Sequence, residues 1–143
     1  MKARFAIALL AVAMLCASAM AQENSADSWF KIGQELGRNG SYEEAVKAYD
    51  NALVLEPKNA ETWLGKGTVL SLWAGSTHDE SLYEDAIKSF DKAIELDPLQ
   101  NRGRLVKANA LLNLGKYNES LKIFDEAIEV RLSGKYLTIT NFT

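Results

Sequence analysis

The chain repeats itself. Trp29, Gly33, Ala45, Tyr49, Ala52 and Pro57 mark a unit whose successor opens with Trp63 and Gly67, 34 residues on. After an insertion the second unit resumes with Tyr83, Ala86, Phe90, Ala93 and Pro98, and a third carries Tyr117, Ser120, Phe124 and Ala127, again at 34 residues. Large and small residues that return at a fixed period must sit in equivalent surroundings. A unit this short cannot bury a hydrophobic face alone, so successive units have to stack and share one continuous core.

Within each unit the apolar residues recur at helical spacing. Trp29, Ile32, Gly33 and Leu36 form one stripe, and Tyr42, Ala45, Val46, Tyr49, Ala52 and Leu53 form the stripe that faces it. The pattern predicts six helices, roughly 27–38, 42–55, 60–74, 82–96, 101–114 and 117–131, in three antiparallel pairs. Glycine inside a helix costs about 1 kcal/mol against alanine, so Gly33 and Gly67 point to crowding where helices cross. Ala108 holds the equivalent place in the third unit. The stretches Arg38-Asn39-Gly40-Ser41 and Leu114-Gly115-Lys116 read as short turns whose glycines take positive φ. Pro57 and Pro98 end their pairs, because proline disfavours the helical conformation of the residue before it. The third unit has Leu132 in that place, and residues 133–143 carry no amphipathic pattern and are expected to be an irregular tail. Arrays of this kind close their last apolar face with a polar-sided helix. Its absence from the pattern leaves three readings: a portion of a longer array, an end that pairs with another molecule, or residues 136–142 folding back as a lid.

As they stand, the repeating segments are "SWFKIGQELGRNGSYEEAVKAYDNALVLEP", "TWLGKGTVLSLW" with "LYEDAIKSFDKAIELDP", and "LVKANALLNLGKYNESLKIFDEAI". In period and in these residues, over roughly 26 to 132, the chain resembles the tetratricopeptide repeat. The resemblance implies an all-α fold, a right-handed superhelical solenoid of three helix-turn-helix pairs, with repeats at about 26–59, 60–100 and 101–132 in a domain spanning 22–132. It also implies a concave wall built from the first helix of each pair, where family members commonly hold a protein or peptide. Carried over position by position, that wall comprises Asp27, Phe30, Lys31, Gln34 and Arg38, then Glu61, Leu64, Thr68 and Ser71, then Arg102, Leu105, Val106, Asn109 and Asn113. The subset of the family that grips chaperone C-terminal carboxylates needs a lysine and asparagines at set places. Here the corresponding residues include Phe30, Gln34, Gly65 and Val106, and only Arg102 is compatible. The implied function is a non-catalytic module that holds a protein or peptide partner. The alternative is a structural subunit that self-associates through its uncapped last repeat. The wording "AIELDP" at a pair's end resembles repeats abundant in archaeal and bacterial proteins, which implies a prokaryotic source.

The first residues, "MKARFAIALLAVAMLCASAMAQ", put Lys2 and Arg4 ahead of an uncharged run and close on Ala19-Met20-Ala21. This is the pattern of a secretory signal peptide over residues 1–21, cleaved after Ala21; the alternative is an uncleaved anchor, since the uncharged stretch from Phe5 to Ala21 is 17 residues, just under the ~20 that a spanning helix needs. The chain is therefore expected to be exported, to a periplasm, an envelope or the exterior, with no membrane span after cleavage. Removing the leader takes away Cys16 and leaves 14 basic against 19 acidic residues, a net charge of −5 without any disulfide. A mildly acidic chain with no clustered Lys/Arg offers no concentrated positive field for nucleic acid. Nothing in the sequence has the spacing of a nucleophile motif or a phosphate-binding loop, and no catalytic residue, metal or cofactor is expected.

Aligning the second pair with the first requires seven extra residues, which fall near 75–81. They read either as a longer loop that extends both helices or as a partner-specific contact. His78, Asp79 and Glu80 lie there, but three adjacent side chains cannot converge on one ion, and the single histidine has no distant co-ligand at recognisable spacing. Trp73 continues the face of Trp63 and Leu70 toward the insertion, as core packing or as an exposed anchor. Sequons at Asn39, Asn118 and Asn141 would accept glycans in an exported chain, Asn39 best among them.

Overall fold

The computed structural model describes residues 25–140, with side chains described through Ser133. The expected leader over 1–21, including Cys16, and the sequon at Asn141 lie outside the described residues. Among the described residues six helices follow one another: α1 (Ala26–Arg38), α2 (Tyr42–Leu55), α3 (Ala60–Thr77), α4 (Glu80–Leu96), α5 (Asn101–Asn113) and α6 (Tyr117–Thr140). No strand occurs among the described residues. Each helix packs on the next, and the first helices of the three pairs also touch in series, α1 on α3 and α3 on α5, along one wall. The fold is an all-α solenoid.

Local chemistry marks the boundaries. Ser25 opens α1 by accepting from Ser28 N–H at 3.1 Å, and Asn59 opens α3 by accepting from Thr62 N–H at 3.0 Å, each satisfying a donor the helix leaves free. α1 closes with Gly40 at φ 80° while Ser41 N–H bonds to Leu36 C=O at 3.0 Å. α5 closes the same way, with Gly115 at φ 70° and Lys116 N–H on Leu111 C=O at 2.9 Å. Both are the left-handed glycine stop expected of those turns.

The middle pair differs from expectation. Five of the seven residues 75–81 are wound into helix: α3 runs on to Thr77 and α4 begins at Glu80, so only His78 and Asp79 connect them. Ser76 and Thr77 lie within α3, and their hydroxyls donate to Trp73 C=O at 2.8 and 2.9 Å. His78 takes the left-handed place at φ 57° that glycine fills elsewhere, and Asp79 caps α4 through Ser81 N–H at 2.9 Å. Trp73 packs, half-buried, against the core cluster together with Leu82 and Tyr83.

Two crossings carry the core. The ring of Tyr49 lies between Gly33 and Gly65, where a Cβ would come within 3.0 and 2.8 Å of it. Phe90, one repeat later, presses on Gly67, where a Cβ would lie 2.6 Å from the ring. The glycines therefore sit where a neighbouring aromatic ring leaves no room for a Cβ. The junctions between pairs are stitched twice in the same register. Lys66 reaches Asp50 and Lys107 reaches Asp91, each at 2.6 Å with the lysine stem largely buried. Trp63 Nε1 donates to Pro57 C=O at 2.9 Å, and Arg104 donates to Pro98 C=O at 2.7 Å, doing in the third repeat what the tryptophan does in the second.

The irregular tail expected after residue 132 is helical in its backbone through Thr140. The reason is what the third unit lacks: no proline removes an intrahelical bond there. Gly134 alone costs about 1 kcal/mol, beside the good helix formers Arg131, Leu132 and Lys135. On α6 the side chains of Leu121 and Ile128 are 62% and 57% exposed. Their counterparts one repeat earlier, Ile87 and Ile94, are half-buried, with Ile94 Cγ1 3.0 Å from where a Cβ on Gly103 of α5 would stand.

Candidate functional site

The wall of first helices holds two clefts. Between α1 and α3 a cleft of about 330 Å³ brings together Asp27, Phe30, Gln34 and Glu61, with Glu56 and Asn59 at its edge. Between α3 and α5 a cleft of about 320 Å³ brings together Thr68, Ser71, Asn109 and Asn113 with Leu72, Tyr83, Phe90 and Val106. The two differ in chemistry. The first carries three carboxylates, of which Asp27 pairs with Lys31, Glu56 accepts from Asn59 at 3.1 Å, and Glu61 faces Arg102 at 3.4 Å. The second has no charged residue in its lining.

Most of the residues expected on the wall are on it, but the helices dispose them unevenly. Phe30 is half-buried and meets Tyr49 edge-on, ring centroids 5.8 Å apart, so only part of it faces the cleft. Leu64 is 1% exposed and belongs to the core cluster. It is not a wall residue, because α3 is flanked on both sides and its inner row is covered where the corresponding Leu105 of α5 stays open. Ser71 Oγ is buried and has no hydrogen-bond partner, and the row Glu61, Leu64, Thr68 continues to Leu72. Thr68 Oγ1 donates to Leu64 C=O at 2.8 Å. Lys31 and Arg38 are exposed and line neither cleft, and Arg102, also exposed, is engaged with Glu61 across the α3–α5 seam.

Sequence reasoning passed over Leu72, Gly75, Tyr83 and Phe90 as lining residues. The four-residue rhythm of the first row, Asp27, Phe30, Gln34 and Arg38, carries straight to Leu72 and was the available signal. Tyr83 and Phe90 belong to a second helix and read as packing, which they also are. Of the candidate sequons, Asn39 is exposed in the α1–α2 turn, whereas Ser120 of the Asn118 triplet is fully buried and donates to Ala108 C=O at 2.8 Å. Among the described residues no three His, Cys, Asp or Glu side chains are grouped to hold a metal, and no helix is long and apolar enough to cross a membrane.

Comparison with known proteins bears on the fold. Residues 33–71 match a family model described as TPR repeat and residues 79–135 one described as Tetratricopeptide repeat, leaving out residues 72–78 at the end of the lengthened α3. No curated protein matches the sequence. Among solved structures, the crystal structure of MamA superposes with a TM-score of 0.69 at 21% identity, over 79% of this chain and 62% of that one. The chain thus spans rather less than two thirds of the MamA chain. The TPR2B-domain:pHsp70-complex of yeast Sti1 gives 0.66 at 26% identity, over 73% and 78%. The second TPR of Spaghetti (RPAP3), bound to HSP90 peptide SRMEEVD, gives 0.64 at 23%, over 79% and 98%.

Proposed function

From a chain that belongs to the tetratricopeptide-repeat family, we propose a non-catalytic interaction module that holds a peptide or protein segment along the wall of α1, α3 and α5. The observation that carries this is the pair of clefts opening between successive first helices, each at the lower end of the 300–1,000 Å³ usual for ligand sites. Two of the similar structures are complexes with pHsp70 and with an HSP90 peptide, which supports a peptide as the class of partner. A carboxylate-rich terminus is a poor fit to this wall. Gly65 is packed on Tyr49, Arg102 already faces Glu61, and the α1–α3 cleft is itself acidic. The basic-then-apolar segment over residues 1–21 supports placing the module outside the cytoplasm, in an envelope or beyond it.

The test uses partner proteins captured from the native source. Gln34→Arg and Asn109→Arg, one on each cleft, are expected to weaken capture at least tenfold, about 1.4 kcal/mol, with the helical signal unchanged. Glu84→Arg and Lys88→Glu, on the second helix of the middle pair, are expected to leave capture intact. The reverse pattern would move the binding face to the other side of the solenoid.

The exposed stripe of Leu121, Ile128 and Leu132 on α6 favours a second reading, self-association through that face. Sedimentation of the full chain is then expected to show a dimer or larger species that Ile128→Glu converts to monomer without loss of helicity. A wild-type chain that stays monomeric at the highest attainable concentration would remove this reading.

A further inference from the structure

Resting on the proposal that the wall holds a peptide, we infer that the α3–α5 cleft is a socket for one large uncharged apolar side chain of that peptide, and that the lengthened α3–α4 hairpin creates it. The cleft floor is Phe90 and Val106, and one wall is Leu72, half of whose surface remains open to solvent. No charged residue borders it. A charged side chain entering would be stripped of water and meet no counter-charge, whereas an apolar one covers the exposed part of Leu72 and gains roughly 25 cal/mol for each Å² so removed from water. Charge complementarity therefore selects a neutral, apolar occupant.

The polar groups of the cleft suit a peptide backbone around that anchor. Asn109 and Asn113 stand one turn apart on α5, both exposed, and each carboxamide offers a donor and an acceptor.

The hairpin makes the site because of where α3 stops. α1 ends at Arg38, whose counterpart in α3 is Leu72, yet α3 continues five residues further to Thr77. Gly75, within that extension, closes the end of the cleft beside Tyr83, and a Cβ there would lie 3.3 Å from the Tyr83 hydroxyl. A helix of the length of α1 would leave the cleft open at this end, and any long side chain at position 75 would fill it.

The experiment selects a displayed library of random dodecapeptides on the full chain. Enriched peptides are expected to share Leu, Ile, Met or Phe at one position, and replacing that residue by Asp or Lys is expected to weaken binding at least tenfold. Gly75→Leu and Leu72→Asp are each expected to do the same, while Gly75→Ala retains binding. If Gly75→Leu lowers the melting temperature, Leu72→Asp, at an exposed position, carries the test. Peptides weakened by Gln34→Arg but indifferent to Gly75→Leu and Leu72→Asp would overturn the socket and leave the peptide-binding wall standing. Enrichment of acidic peptides without an apolar anchor would overturn it too. Peptides indifferent to all these variants, or a library that yields none, would overturn both.

Discussion

Truncating Phe90 to alanine is expected to destabilise the chain by about 3–5 kcal/mol. Phe90 is 0% exposed and is the largest fully buried side chain of the described residues. It sits where α3, α4 and α5 meet, in contact with a cluster that includes Leu64, Leu70, Ala86, Ala93 and Ala110. A solenoid has no wider core into which such a cavity can relax, because each repeat touches only its neighbours. Three repeats are also about the minimum for a stable array. Thermal melts of wild type and Phe90→Ala under identical conditions would check this, with a fall of roughly 10 °C or more expected for a domain of this size. A shift of only a few degrees would mean that the middle repeat closes over the cavity.

Gly67→Leu is expected to cost about 3 kcal/mol, at the top of the usual range for overpacking. Its Cβ would lie 2.6 Å from Phe90 Cε1 and 3.1 Å from Ala86 C=O, and the carbonyl belongs to the α4 backbone and cannot rotate away. Even Gly67→Ala is expected to destabilise, although alanine gains about 1 kcal/mol of helix propensity over glycine. Gly75→Ala, in the same helix, meets only the movable Tyr83 hydroxyl and is expected to be neutral or stabilising. Opposite signs for the two alanines in urea titrations would establish that the crossing, and not the helix, demands glycine at 67. Like signs would sink that account. Combining Gly67→Leu with Phe90→Ala is expected to cost less than their sum, since the leucine enters the vacated space.

The turn glycines were legible because their chemistry is local: Gly40 and Gly115 announce a left-handed residue, and both adopt one. The insertion was legible in length but not in shape. Gly75-Ser76-Thr77 has the composition of a loop, yet it is helical, with the Ser76 and Thr77 hydroxyls satisfied by Trp73 C=O. His78 then fills a glycine place with no sequence signal at all. The extent of α6 was missed for a related reason, since a stop must be written by a residue and none is written there. At the site, Asp27, Phe30 and Gln34 of the first row line a cleft because α1 has an open side, while Lys31 and Arg38 line none. Leu64 is buried by the neighbours on both flanks of α3 and not by any property of its own segment.

The stitching of the junctions carries a consequence for how such a chain can change length over generations. Each internal junction joins a lysine on the incoming first helix to an aspartate on the outgoing second helix, Lys66 with Asp50 and Lys107 with Asp91. A tandem duplication of the second or the third unit would bring both halves of that fastening with it, whereas the first unit has Ile32 at the lysine's place. The new unit would be secured on either side with no compensating substitution, and Asp125, the exposed residue at the next place in the register, already provides the receiving half for a following unit. Growth by copying is therefore nearly neutral at the seams. What selection then has to refine is the lining of each new cleft and not the joints that hold it open.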